Sequence, residues 1–113
     1  MSANRELVKG NAIVLILSCL AREPMHGYRV VKELEALSEG YFNMREGTLY
    51  PHLHQLENDE MIEGNWEPGL GERQRKLYRI TQKGKTELAR RQAEWSKFQA
   101  NLNLVLSQIP EGV

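Results

Sequence analysis

Thr48, Tyr50, His52 and Gln55 bring a hydroxyl, a phenol, an imidazole and an amide into eight consecutive positions, with Pro51 among them, and none of the five carries a fixed charge. Groups of this kind donate to and accept from base edges and phosphate oxygens. A nearly uncharged face is an odd choice for a helix that only has to keep a protein in solution. Leu49, Leu53 and Leu56 recur at i, i+4 and i+7, so they form one apolar stripe to be buried, and the five residues are left outside. Read alone, the segment suits a moderately polar surface helix equally well. The basic stretch C-terminal to it favours the nucleic-acid reading.

The chain has 113 residues, with fifteen basic and fifteen acidic side chains, and this neutral total hides a strong segregation. From Arg73 to Arg91 eight basic residues stand against Glu87 alone, a net of +7, whereas from Glu33 to Glu72 ten acids stand against Arg45, a net of −9. A basic segment of that density is a candidate phosphate-binding surface. Lys83 to Arg91 also fits a solvated helix face. Arg73 to Lys76, in a Gly-rich loop, fit that description less well.

Catalytic chemistry finds no comparable support. His52 and His54 are two apart, so they point to different sides of a helix and cannot share one metal, which would require a spacing of four. No cluster of His, Cys and carboxylates completes a site, and there is no phosphate-binding loop or nucleophile elbow. Gly69 and Gly71 match half of a nucleotide-binding fingerprint but come after the wrong element. No enzyme activity, metal or cofactor is expected.

The elements that must position these residues can be read from periodicity and punctuation. A first helix runs from about Arg5 to Arg22 and stops before Pro24. Its middle, Ile13 to Leu17, is apolar on every side, so one face is expected to meet its own domain and another a partner subunit. A second helix runs from about His26-Gly27-Tyr28 to Leu37, with Tyr28, Val31, Leu34 and Leu37 as its expected buried stripe. The third, from about Arg45 to Asp59, carries the uncharged face. Two helices joined by a short turn match a helix-turn-helix.

The period then changes to two. Ile62, Gly64 and Trp66 alternate with Glu63, Asn65 and Glu67, Pro68 to Gly71 reads as a turn, and Arg75 to Thr81 as the returning strand. A two-stranded wing results. Thr81 has the chemistry of an N-cap for a last helix from about Gln82 to Gln108. Along it Leu88, Trp95, Phe98, Leu102, Val105 and Ile109 form an a/d-like seam. About 27 residues make a rod of roughly 40 Å, longer than a small winged domain can cover. The expected architecture is mainly α with a two-stranded β wing: a winged helix-turn-helix over residues 1–81 and a dimerisation helix over 82–113. Val14 and Leu17 of the first helix join the seam residues in the expected homodimer interface. Cys19, the only cysteine, reads as a buried thiol in a reducing compartment, and the longest apolar stretch, the ten residues from Ala12 to Ala21 with Ser18 among them, is too short to span a bilayer. A cytoplasmic location is expected.

In their order and spacing, His26-Gly27-Tyr28, Glu46-Gly47-Thr48-Leu49-Tyr50-Pro51, Leu53, Leu56-Glu57, Ile62, Trp66, Arg75-Lys76, Tyr78, Ile80-Thr81, Gly84 and Trp95 resemble the PadR family of transcriptional regulators, in its short form with a single C-terminal dimerisation helix. The resemblance covers nearly the whole chain. It implies a winged-helix dimer, usually a repressor, bound to a near-palindromic DNA operator and released by small effectors such as phenolic acids or drugs. Trp95 looks like the family position that stacks on flat aromatic ligands between subunits, although as a seam residue it also fits plain packing. Trp66 is expected in the core.

With that frame the expected DNA contacts are Thr48, His52 and Gln55 at the bases and Tyr50 and Pro51 on the sugar-phosphate backbone. Arg73, Arg75 and Lys76 belong to the wing, and His26 and Tyr28 sit at a helix N-terminus that favours an anion. The rival class is a winged helix used as a protein-interaction module without operator DNA. The basic wing argues against it; Glu57, Asp59 and Glu60, at the end of the third helix, argue for it.

Overall fold

In a computed structural model, which describes residues 4–68 and 74–113, the order is helix α1 (Arg5–Arg22), strand β1 (Met25–His26), α2 (Gly27–Leu37), α3 (Glu46–Asn58), β2 (Ile62–Pro68), β3 (Gln74–Ile80) and α4 (Gln82–Leu106). Asn4 caps α1, its side-chain oxygen accepting from the amides of Glu6 at 2.9 Å and Leu7 at 3.4 Å. The expected boundaries of α1 hold at both ends. Those of the later helices hold to within two residues.

The core lies where α1, α2 and α3 meet the sheet. Ile16, Leu17 and Leu20 of α1, Val30 and Leu34 of α2, Leu49, Leu53 and Leu56 of α3, Ile62 and Tyr78 are all buried. The leucine stripe of α3 is therefore inside, as its spacing demands. The stripe of α2 lies one position away from the expected one. Gly27, Val30 and Leu34 are buried, whereas Tyr28 and Leu37 are 44 % and 50 % exposed. The α2 face that meets α3 begins with a glycine, which has no side chain to register in a hydrophobic pattern. Leu17 is fully buried inside the protomer and leaves no surface for a partner. Val14 stays half-buried.

The expected two-stranded wing is formed by β2 and β3, and β1 adds a third, unexpected strand, in the order β1-β3-β2, antiparallel throughout. Met25 and His26 pair with Tyr78 and Leu77, so the start of α2 is bolted to the wing. Two residues are too few to show a period, so the strand has no sequence signature. Along the hairpin Ile62 faces Ile80, Gly64 faces Tyr78, Trp66 faces Lys76 and Glu67 faces Arg75. Side chains alternate across a strand, so Arg75 and Lys76 lie on opposite faces. Trp66 shares the core-facing side with Ile62 but is 65 % exposed, against expectation. The strands run on past the point where the helices stop covering them.

Thr81 caps α4, its hydroxyl accepting from the Gly84 amide at 3.0 Å and donating to the Glu60 carbonyl at 2.7 Å. Only Gly84 and Leu88 of this helix are buried. Twenty-five residues extend about 37 Å. Trp95, Phe98, Leu102 and Val105 project exposed from the distal part of α4, whereas Ile109, expected in the same seam, lies beyond the helix end at Leu106 and is also exposed.

Candidate nucleic-acid interface

With its three leucines locked in the core, α3 has a fixed rotation about its own axis, and its outer face is set by that. Thr48, Pro51 and Gln55 are exposed on it, and His52 is half-buried. The Gln55 amide donates to both carboxylate oxygens of Asp59, at 3.1 and 3.2 Å, so it must exchange that partner to reach a base. Tyr50 differs from its neighbours. Its ring is half-buried and lies against the backbone of Gly27, and burial, with the nearby Glu46 as the lesser cause, pushes its phenol above the ordinary range. Tyr50 holds α2 and α3 together; its expected place on the sugar-phosphate backbone is largely taken up by this packing. Pro51 lacks the amide that would have bonded the carbonyl of Gly47 one turn earlier, on the exposed side of the helix.

Elsewhere on the surface, β1, the first turn of α2, β2 and β3 bring four side chains together on the face of the sheet opposite Lys76. The Nε2 of His26 sits 2.9 Å from a carboxylate oxygen of Glu67. The rings of His26 and Tyr28 stack with centroids 6.1 Å apart. The guanidinium of exposed Arg75 lies over the Tyr28 ring at 5.5 Å. His26, Tyr28 and Arg75, placed in two groups by the sequence, thus form one patch. Arg75 is exposed and has no ion pair among the described residues, so its guanidinium is available to a phosphate. Arg73 lies outside the described residues.

Lys76 does not join the patch. Its ammonium is 2.7 Å from Glu57 on the opposite face of the sheet and lies over the rings of Trp66 and Tyr78 at 5.4 and 5.8 Å. The expectation of a phosphate contact from Lys76 therefore meets a side chain already engaged inside its own subunit. Burial pushes the Tyr78 phenol up, with Glu57 and Tyr50 adding to the effect. Sequence reasoning missed Glu67 and Glu57 as partners of His26 and Lys76. Strand alternation carried the signal for the second pair, because it already separates Lys76 from Arg75.

Among the described residues no group of three or more His, Cys, Asp or Glu side chains could hold a metal ion, and no helix is long and apolar enough to cross a membrane. The family model described as the transcriptional regulator PadR-like family matches residues 16–90, a span from the middle of α1 to the first half of α4. The chain belongs to the PadR-like family of transcriptional regulators. Among solved structures, a PadR-family regulator from Eggerthella lenta is 33 % identical, with a TM-score of 0.82 over 92 % of this chain and 88 % of that one. A PadR-like regulator from Bacillus cereus is 27 % identical, with a TM-score of 0.76 over 93 % and 99 %. The transcriptional regulator YqjI of Escherichia coli is 34 % identical over 53 residues, which are 47 % of this chain and 26 % of YqjI. Membership in a family of transcriptional regulators implies regulation through DNA binding. In this PadR-like chain the described residues hold the helices and both wing strands, and α3 and the His26–Tyr28–Arg75 patch present polar side chains at the surface.

Proposed function

We propose that this protein is an operator-binding repressor that acts as a homodimer and is released by a small aromatic effector. In this reading α3 enters the major groove with Thr48, His52 and Gln55 toward base edges. Pro51 meets the backbone, and Tyr28 and Arg75 engage a flanking phosphate. The observation that carries the reading is the outer face of α3, where Thr48, Pro51 and Gln55 are exposed without charge and fixed in rotation by buried Leu49, Leu53 and Leu56; exposed Arg75, over the Tyr28 ring, adds a cation. The unpartnered seam from Trp95 to Ile109 supports a second copy, whose two-fold symmetry would call for a near-palindromic site. Trp95 and Phe98, stacked at 5.7 Å and 45 % and 57 % exposed in the single chain, support a flat effector between subunits.

The rival, a protein-docking winged helix, loses part of its support because Glu57 is neutralised by Lys76 and Asp59 is bonded to Gln55. A titration of the protein against its own promoter region with excess random duplex separates the two. Operator binding resistant to the competitor is expected, and Arg75→Ala should weaken binding to all sequences while lowering the salt slope by about one. No binding above the random-duplex level would leave only the docking module.

A further inference from the structure

We propose that Lys76 is a positioning residue: paired with Glu57, it props the wing at a fixed angle to the recognition helix and does not touch DNA. This rests on the DNA-binding reading above. Glu57 is the second-last residue of α3 and Lys76 lies in the middle of β3, so their 2.7 Å ion pair joins the two elements that have to meet one duplex together. The site is built to admit the lysine. Gly64, the residue of β2 between them, has no Cβ, and one placed there would run into Lys76 Cε and come within 2.9 Å of a Glu57 carboxylate oxygen. The side chains of Lys76 and Glu57 are only 22 % and 28 % exposed, and the rings of Trp66 and Tyr78 hold the ammonium from the sheet side.

An ammonium with a carboxylate and two aromatic faces must give up all three to reach a phosphate. Arg75, one residue away and on the other face, gives up no ion partner among the described residues. The two neighbouring cations thus divide the work. Arg75 meets the nucleic acid, and Lys76 fixes the distance between Arg75 and the base-facing residues Thr48, His52 and Gln55.

The test uses the full-length protein and a fluorescent duplex of its own promoter region, titrated at several salt concentrations. Lys76→Met keeps the apolar stem over Trp66 and Tyr78 and removes the charge; Glu57→Gln removes the other half of the pair. Each should weaken promoter binding about three- to tenfold, the double variant should be no worse than the single ones, and the salt slope should stay at the wild-type value. In a Trp95→Phe background without DNA, Trp66 emission should shift to the red in both variants. A slope lower by about one in Lys76→Met, tighter binding in Glu57→Gln, additive losses or an unmoved Trp66 spectrum each overturn the strut. Wild-type protein that binds no duplex in a salt-dependent way instead overturns the DNA-binding reading, and the strut's role in recognition with it.

Discussion

The ring of Tyr50 lies on the backbone of Gly27, so close that a methyl group added there would sit 2.8 Å from the phenol oxygen and 3.0 Å from the carbon that bears it. This contact sets how near the first turn of α2 comes to α3, the helix proposed above to read base edges. Gly27→Ala should push the ring aside and cost about 1–2 kcal/mol in urea unfolding, a typical penalty for overpacking. The cost should largely vanish when Tyr50 is also shortened to Leu, because the methyl group then has room. Full additivity of the two changes would mean that the ring and the glycine do not constrain one another.

A second glycine seats the long helix. A Cβ on Gly84 would collide with the backbone carbonyl of Met61 and come within 2.8 Å of Ile80 Cγ1. The same carbonyl accepts from the Thr81 amide at 3.0 Å, so it cannot move away without giving up that bond. Gly84→Ala should therefore be worse than Gly27→Ala, at about 3 kcal/mol, despite the better helix propensity of alanine. Thermal denaturation monitored by circular dichroism is the check, and a melting point equal to the wild type would refute the collision.

These two glycines mark where reading the sequence stops being sufficient. The stripe Leu49, Leu53 and Leu56 is legible because three large side chains repeat at helical spacing, and Thr81 because a cap has its own chemistry. Both obey local rules. The buried face of α2 is misphased in the sequence because its first member is Gly27, visible only through what packs on it. Strand β1 pairs with a segment some fifty residues away and is too short to carry a pattern. Alternation puts Trp66 on the core side because it gives the correct side of a strand but not the point at which the covering layer ends. At the site the residue types are legible, whereas the partners are not: Glu67 for His26 and Glu57 for Lys76 come from tertiary pairing. Period-two alternation alone is enough to separate Arg75 from Lys76.

The buried Cys19 gives the stability a defined alkaline limit. Burial, reinforced by Glu33 and opposed by Arg22, pushes its thiol from an ordinary 9.0 to about 11. The unfolded chain thus loses this proton first. The contribution is whole below pH 9 and is lost as the pH rises toward 11. Tyr50 and Tyr78, both raised above the ordinary 10.0, extend the loss at the upper end. Cys19→Ala should be less stable overall because of the cavity but lose less between pH 9 and 10.5. Parallel curves for the two proteins would remove the thiol from this account.

The seam of α4 has a direct test in association. Leu102 and Val105 lie on it at helical spacing and are 42 % and 68 % exposed in the single chain. In a homodimer each lysine introduced there faces apolar surface and its symmetry mate's charge. Leu102→Lys with Val105→Lys should shift the protein from dimer to monomer in sedimentation at micromolar concentration and weaken promoter binding at least tenfold, since two half-sites are no longer held together. A double variant that sediments as the wild type would place the interface elsewhere.

Effector control can be tested through its reciprocity. If a flat aromatic compound stacks on Trp95 and releases DNA, it favours one arrangement of the two recognition helices over another, so DNA must lower its affinity by the same factor by which it lowers that of DNA. In a Trp66→Phe background the only tryptophan left is Trp95, and quenching of its emission reports occupancy. An inducing compound should quench this emission, and its apparent Kd should rise several-fold when saturating promoter duplex is added. Trp95→Ala should keep DNA binding while losing the response to the compound. A compound that quenches equally well with and without DNA occupies the aromatic pair without controlling the regulator. The stacked Trp95 and Phe98 would then serve only to pack the two subunits together.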